Sequence, residues 1–185
     1  TLSSSSAASD VYKRQILQLA KEKALILKTP RDIRVPVLTR EQYAEIRSIR
    51  LALEGLAAET AAGKVTAEQL QMLERNIRDN LEAVHCGDLI AALKLNQAFH
   101  FALADIAGMP LLRDMLDSLW MRTGPLIARA YGDFSERMAV EHHWEVLRAL
   151  EKGDGTAARQ AICTDILDGN QKMMELIARR EATLA

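Results

Sequence analysis

Residues 140–167, VEHHWEVLRALEKGDGTAARQAICTDIL, decide the fold. In the first half, Val140, His143, Val146, Leu147 and Leu150 fall on one stripe at helical spacing. Gly153-Asp154-Gly155 then breaks the period and offers Asp154 as the N-cap of a second helix. A chain that folds back here forms an antiparallel helical hairpin. His143 lies eleven residues before Asp154 and Asp165 eleven after it. At about 1.5 Å per residue, both sit roughly 16 Å from the turn, at one height on facing helices. Asp165 is flanked by Ile162, Ile166 and Leu167, so it faces inward or to the margin. A buried aspartate is costly unless it is paired or bound to a cation.

The same punctuation extends outward from the hairpin. Thr39 with Gln42 and Thr66 with Gln69 are Thr-x-x-Gln capping boxes, Asp133 with Glu136 is a looser version, and Asp88 is another N-cap. These signals predict helices over 39–62, 66–86, 88–107, 109–131, 134–152 and 154–182, with Gly124-Pro125 kinking or splitting the fourth. Loops of two to four residues force neighbouring helices antiparallel. After residue 38 no strand pattern occurs. The expected fold is all-α, an antiparallel bundle of six or seven helices over residues 39–185.

The segment before the bundle reads differently. Residues 1–14 carry a serine run and no helical or strand period, and Ser-Ala-Ala-Ser-Asp-Val-Tyr-Lys-Arg-Gln resembles a translated sequencing-adapter remnant. They are expected to be non-native, with the protein itself beginning further upstream. Ile16, Leu17, Leu19, Ala20 and Ala24 mark a short amphipathic helix, followed by strand, turn and strand through Thr29-Pro30-Arg31-Asp32. A helix running into a basic-tipped hairpin is half of a winged helix, with Lys28, Arg31 and Arg34 on or near the wing. The alternative is an N-terminal arm packed on the main domain. Residues 35–38 form the linker.

Composition excludes several classes. A net charge of −1 offers no global basic field, so any DNA contact must come from a local patch or a missing part. No run approaches the roughly 18 apolar residues a membrane span needs. Neither is there a signal-peptide core, because Gln18, Lys21, Glu22 and Lys23 interrupt residues 16–27. Cys86 and Cys163, isolated and without a CxxC pairing, suggest a reducing compartment and buried or inert positions. The chain reads as cytoplasmic, with no membrane partner.

Four polar residues in apolar helical sequence are the candidate site: Asn96, His100, His143 and Asp165. Asn96 and His100 are four apart and share a helix face. Each has a bland reading when taken alone. His100 between Phe99 and Phe101 could be an ordinary core histidine, and one of His142 and His143 must point away from what the other faces. Their coincidence is what carries weight: two imidazoles and a carboxylate beside an amide suit a divalent transition metal, zinc or nickel. Arg50, on the apolar face of the first helix, needs a carboxylate, either Glu54 at i, i+4 or a bound organic acid. Trp120, Arg122 and Tyr131 flank Gly124-Pro125 and either line a cavity or belong to the core. No serine sits on a glycine elbow, and there is no Gly-rich phosphate loop. A metal could activate water, but Glu141 and Glu145 are the only carboxylates near it by sequence that could act as base.

Three blocks resemble the FCD effector domain of the FadR-type branch of GntR transcription regulators. They are Arg50-x3-Glu54 with Ala57-Ala58 and Ala61-Ala62; Asn96-x2-Phe99-His100-x2-Leu103 followed by Ala107-Gly108-Met109-Pro110; and Glu141-His142-His143 through Gly153-Asp154 to Ala157-Ala158. The resemblance covers roughly 39–180, and residues 15–38 are similar to the end of the winged helix-turn-helix that precedes that domain. It implies an all-α domain that binds a small carboxylate metabolite, often beside a metal held by an Asp-x3-His pair and two later histidines. Carried onto this chain, the metal ligands are Asn96, His100, His143 and Asp165, with Asn96 where Asp is usual and Asp165 where His is usual. Arg50 is then a carboxylate clamp, with Arg122 and Tyr131 as further effector contacts. The resemblance also implies a homodimer whose DNA-binding domains are repositioned by effector. The expected function is a ligand-responsive transcription regulator, not an enzyme, whose chain as given binds effector but binds operator DNA weakly or not at all. A metal-dependent hydrolase and a dimerisation-only bundle are the competing readings.

Overall fold

A computed structural model describes residues 3–21, 25–29, 32–131 and 140–184, with the side chains of 3–10, 28, 131, 183 and 184 left aside. The chain divides into two compact units, Thr1–Leu38 and Thr39–Ala185.

In the first unit, α1 (Ser3–Lys21) precedes an antiparallel hairpin of β1 (Ile26–Thr29) and β2 (Asp32–Arg34). The strands pair Ile26 with Arg34, Leu27 with Ile33 and Thr29 with Asp32. The helix expected around residues 16–24 begins already at Ser3, in a stretch whose sequence carries no helical period. Absence of an apolar stripe argues against a buried helix, not against a helix, and no glycine or proline occurs before Pro30 to break one. Its side chains accord with that distinction, since Val11, Tyr12 and Leu17 are all exposed. On the hairpin, Arg34 Nε donates to Asp32 Oδ1 at 2.6 Å. Arg31 and the Lys28 side chain lie outside the described residues.

The second unit is a bundle of α2 (Arg40–Ala62), α3 (Ala67–His85), α4 (Leu89–Ile106), α5 (Pro110–Tyr131), α6 (His142–Glu151), α7 (Gly155–Asp168) and α8 (Asn170–Leu184). Both capping boxes form. Gln42 N–H donates to Thr39 Oγ1 at 3.3 Å while Thr39 N–H donates to Gln42 Oε1 at 3.1 Å. Thr66 and Gln69 do the same at 3.2 and 2.9 Å. Asp88 and Asp154 each accept the N–H three residues on, both at 3.0 Å. Gly153, at φ 67°, makes the left-handed turn that lets α7 fold back on α6, a conformation open to glycine at little cost.

α2 packs most extensively on α7, α3 on α4, and α6 on α7. The α2–α7 contact is close because its residues are small: Ala57, Ala58 and Ala158 are fully buried, and a Cβ added to Gly155 would stand 2.7 Å from the Glu59 carbonyl oxygen. Phe99, Leu103, Leu116, Val146, Leu150 and Ile162 fill the centre.

Three details differ from expectation. α5 runs unbroken through Pro125; the preceding Gly124 has no Cβ to meet the proline ring, which relieves the restriction on that position. The predicted 154–182 helix is divided at Gly169, where the bonds Gly169 N–Asp165 O and Met173 N–Gly169 O both stretch to 3.4 Å. Cys86 is exposed, not buried, and both cysteines are free. Asp133 and Glu136 lie outside the described residues.

Candidate metal centre

α4, α6 and α7 converge on one group. His100 comes from α4, His143 from α6 and Asp165 from α7, and one ligand-competent atom of each lies within 4.8 Å of the others. His100 Nε2 is 3.2 Å from Asp165 Oδ2, and His143 Nε2 is 3.7 Å from Asp165 Oδ1. Asp165 therefore offers one oxygen towards each imidazole. His143 stacks on Phe99, with ring centroids 4.0 Å apart and planes 12° from parallel. Both its nitrogens are buried without a hydrogen bond. A buried imidazole with no partner leaves an obligatory polar group unsatisfied, at a cost of about 1–3 kcal/mol. Two imidazoles and a carboxylate, one imidazole lacking any other partner, fit a divalent transition metal.

The charges follow from the packing. Burial disfavours a charge on His143 and takes its pKa down to about 4, with Asp165 opposing, so its lone pair is free at neutral pH. Burial also acts against a charge on His100, but the Glu54 carboxylate and bonds to Asp165 and Glu54 overcome it and raise the pKa to about 9. Burial would raise Glu54; the Arg50 and His100 cations instead hold it at about 2. Asp165, raised by burial but drawn down more by its bond to His100 and the charge that His100 carries, lies below the ordinary aspartate range.

Glu54 is the residue that sequence reasoning assigned only as a partner for Arg50. Its Oε1 accepts from Arg50 Nε at 2.6 Å and its Oε2 from His100 Nδ1 at 2.5 Å. The i, i+4 spacing predicts the first bond; the second spans 46 positions and leaves no local pattern. Arg50 thus has the internal carboxylate, at the imidazole edge opposite Nε2, and its guanidinium lies 4.3 Å from the Trp120 ring centre.

Asn96 is buried one turn before His100 on α4. Arg122 is half-buried on α5, two residues beyond Trp120, whose ring lies 5.1 Å from that of His100. The Tyr131 side chain lies outside the described residues. His142 is also buried but faces elsewhere, bonded through Nδ1 to Glu145 at 2.9 Å and through Nε2 to Asp168 at 2.7 Å. Burial would lower its pKa, and these two carboxylates raise it.

Residues 45–168 match the FCD domain family. The chain belongs to that family, the one whose blocks surround Arg50, His100 and His143. Among its relatives, the HTH-type transcriptional regulator McbR of Escherichia coli K12 is 27% identical over 153 residues, 81% of this chain and 69% of McbR. The uncharacterised HTH-type transcriptional regulator YdhC of Bacillus subtilis 168 is 26% identical over 156 residues, 80% of this chain and 68% of that protein. In three dimensions the chain is similar to E. coli McbR/YncC, with a TM-score of 0.79 at 24% identity over 89% of this chain and 83% of that one. It also resembles Streptococcus agalactiae GntR, with a TM-score of 0.56 at 23% identity over 83% of this chain and 77% of that one. Among the described residues no helix is long and apolar enough to cross a membrane.

Proposed function

We propose that the chain is the sensing part of a GntR-family transcription regulator, in which a metal-anchored pocket reads a small carboxylate metabolite. The observation that carries this reading is the convergence of buried His100, His143 and Asp165, with both nitrogens of His143 otherwise unpartnered. These three would hold a zinc or nickel ion, with Asn96 as a weak oxygen ligand or an amide facing the effector. When bound, the metal supplies a Lewis-acidic centre with open positions that an organic acid can take. Since effector and metal would join α4, α6 and α7, binding would shift the bundle between arrangements. The linker at 35–38 would pass that shift to the DNA-binding part. The α1–hairpin unit is the proposed remnant of a winged helix, with Lys28, Arg31 and Arg34 contacting operator DNA, and the working form is a homodimer.

The regulators among the relatives support this reading over a hydrolase. So does Glu145, one of the two carboxylates near the site by sequence that could act as a hydrolytic base, which is hydrogen-bonded to His142. Elemental analysis of the purified protein, combined with a thermal-shift screen of organic acids with and without chelator, tests the proposal. Bound metal and acid-dependent stabilisation that chelator abolishes are expected. Metal-free protein whose melting responds to neither overturns it in favour of a purely structural bundle.

A further inference from the structure

We infer that Glu54, braced by Arg50, is a positioning residue of the metal centre: it holds His100 through Nδ1 so that Nε2 is presented to the ion. This rests on the metal reading above and adds residues of α2 to a site otherwise built by α4, α6 and α7.

The geometry uses both oxygens of one buried carboxylate. Glu54, 1% exposed, accepts from Arg50 Nε on Oε1 at 2.6 Å and from His100 Nδ1 on Oε2 at 2.5 Å. A salt bridge serving only to neutralise Arg50 has no need of the second contact. With Nδ1 committed as donor, Nε2 is the nitrogen left for a metal, and it is the one 3.2 Å from Asp165. Trp120 closes the remaining side, with Arg50 Cζ 4.3 Å and the His100 ring 5.1 Å from its rings. The imidazole is thereby fixed from α2, α4 and α5 at once.

The arrangement also assigns Arg50. It sits across Glu54, on the side of His100 remote from Nε2, so its charge keeps Glu54 ionised. A metal-ligating histidine characteristically gives its other N–H to a carboxylate, which fixes the tautomer and strengthens the ligand, and loss of such a partner typically costs ten- to a hundredfold in metal affinity. Glutamine cannot substitute for Glu54. It has one acceptor oxygen and one amino group, and both neighbours, Arg50 and His100, are donors at this position.

The test is zinc affinity of the full chain, measured by competition with a chromophoric chelator, for wild type, Glu54→Gln and Arg50→Lys. Glu54→Gln should weaken zinc about ten- to a hundredfold, with Arg50→Lys, which keeps the cation, losing less. Circular dichroism and urea melts of the metal-free variants separate this from general destabilisation. A Glu54→Gln protein that melts earlier yet binds zinc as wild type does would make Glu54 a packing salt bridge and overturn the inference. Should that variant not fold, imidazole nitrogen NMR of zinc-loaded wild type decides: His100 must carry its proton on Nδ1 and zinc on Nε2, and the reverse assignment is fatal. Wild type that takes up no zinc refutes the metal reading itself and this inference with it. Loss of the Glu54 effect alone leaves that reading intact.

Discussion

At the residue scale, the site holds two histidines in opposite states. His143 is kept neutral by burial, whereas His100 carries a proton because Glu54 and Asp165 bracket its ring. A metal at Nε2 must displace that proton. Between about pH 6 and the His100 value of about 9, zinc affinity should therefore rise roughly tenfold per pH unit, with about one proton released per ion. Calorimetry in two buffers of different ionisation enthalpy measures the proton directly; a pH-independent affinity over that range would contradict the bracketed imidazolium. Asn96 gives a second expectation. Asn96→Asp would add a buried carboxylate one turn before His100, whose imidazolium in the metal-free protein is already paired with Glu54 and Asp165. Metal-free stability should fall by about 1–3 kcal/mol while zinc binding tightens. Urea melts with and without zinc would show these opposite signs, and parallel shifts would place Asn96 outside the site. His100, His143 and Asp165 were legible in the sequence because each is a polar residue at an apolar position. Glu54 was legible only as a partner of Arg50, since its contact to His100 links α2 to α4 and leaves no spacing to read.

At the element scale, helix starts were the most legible feature because their chemistry is local. A Thr-x-x-Gln pair satisfies its own donors within one turn, wherever the helix later packs. Thr39→Ala should accordingly cost about 1 kcal/mol, read by urea denaturation, without changing metal affinity. Helix ends and continuity depend on more than the local string. Pro125 signalled a kink or a split and α5 is not split there, while Gly169 divides what the pattern ran together as one helix. The α2–α7 seam was equally hidden. Its alanines could be seen, but not that Gly155 faces the Glu59 carbonyl, because that is a tertiary approach. Gly155→Ala would bring a methyl to 2.7 Å from that backbone oxygen, and a carbonyl inside a helix cannot swing aside as a side-chain tip can. The expected loss is about 1–3 kcal/mol in a urea melt. A variant as stable as wild type would mean that the seam has more slack than its spacing indicates.

At the scale of the whole molecule, the site couples folding to both pH and metal. In the metal-free protein, Glu54 falls from 4.5 when unfolded to about 2 when folded, and His143 from 6.5 to about 4. Both contributions are present above the unfolded values and are lost as pH falls through the folded ones. His100 rises from 6.5 to about 9, so its contribution is complete below 6.5 and is lost as pH climbs through 9. Metal-free stability should therefore peak near pH 6.5 and decline on both sides. Zinc changes the alkaline arm. It binds the folded site, adding RT ln(1 + [Zn]/Kd), or about 2.7 kcal/mol at a hundredfold excess over Kd. Because Kd improves as His100 sheds its proton, this gain grows in the interval where the metal-free protein weakens. Zinc-loaded protein should thus hold its stability from about pH 7 to 9 while metal-free protein loses it, in urea melts run at each pH. Two profiles that stay parallel across that interval would mean that zinc binds without displacing the His100 proton, and that Nε2 is not its ligand.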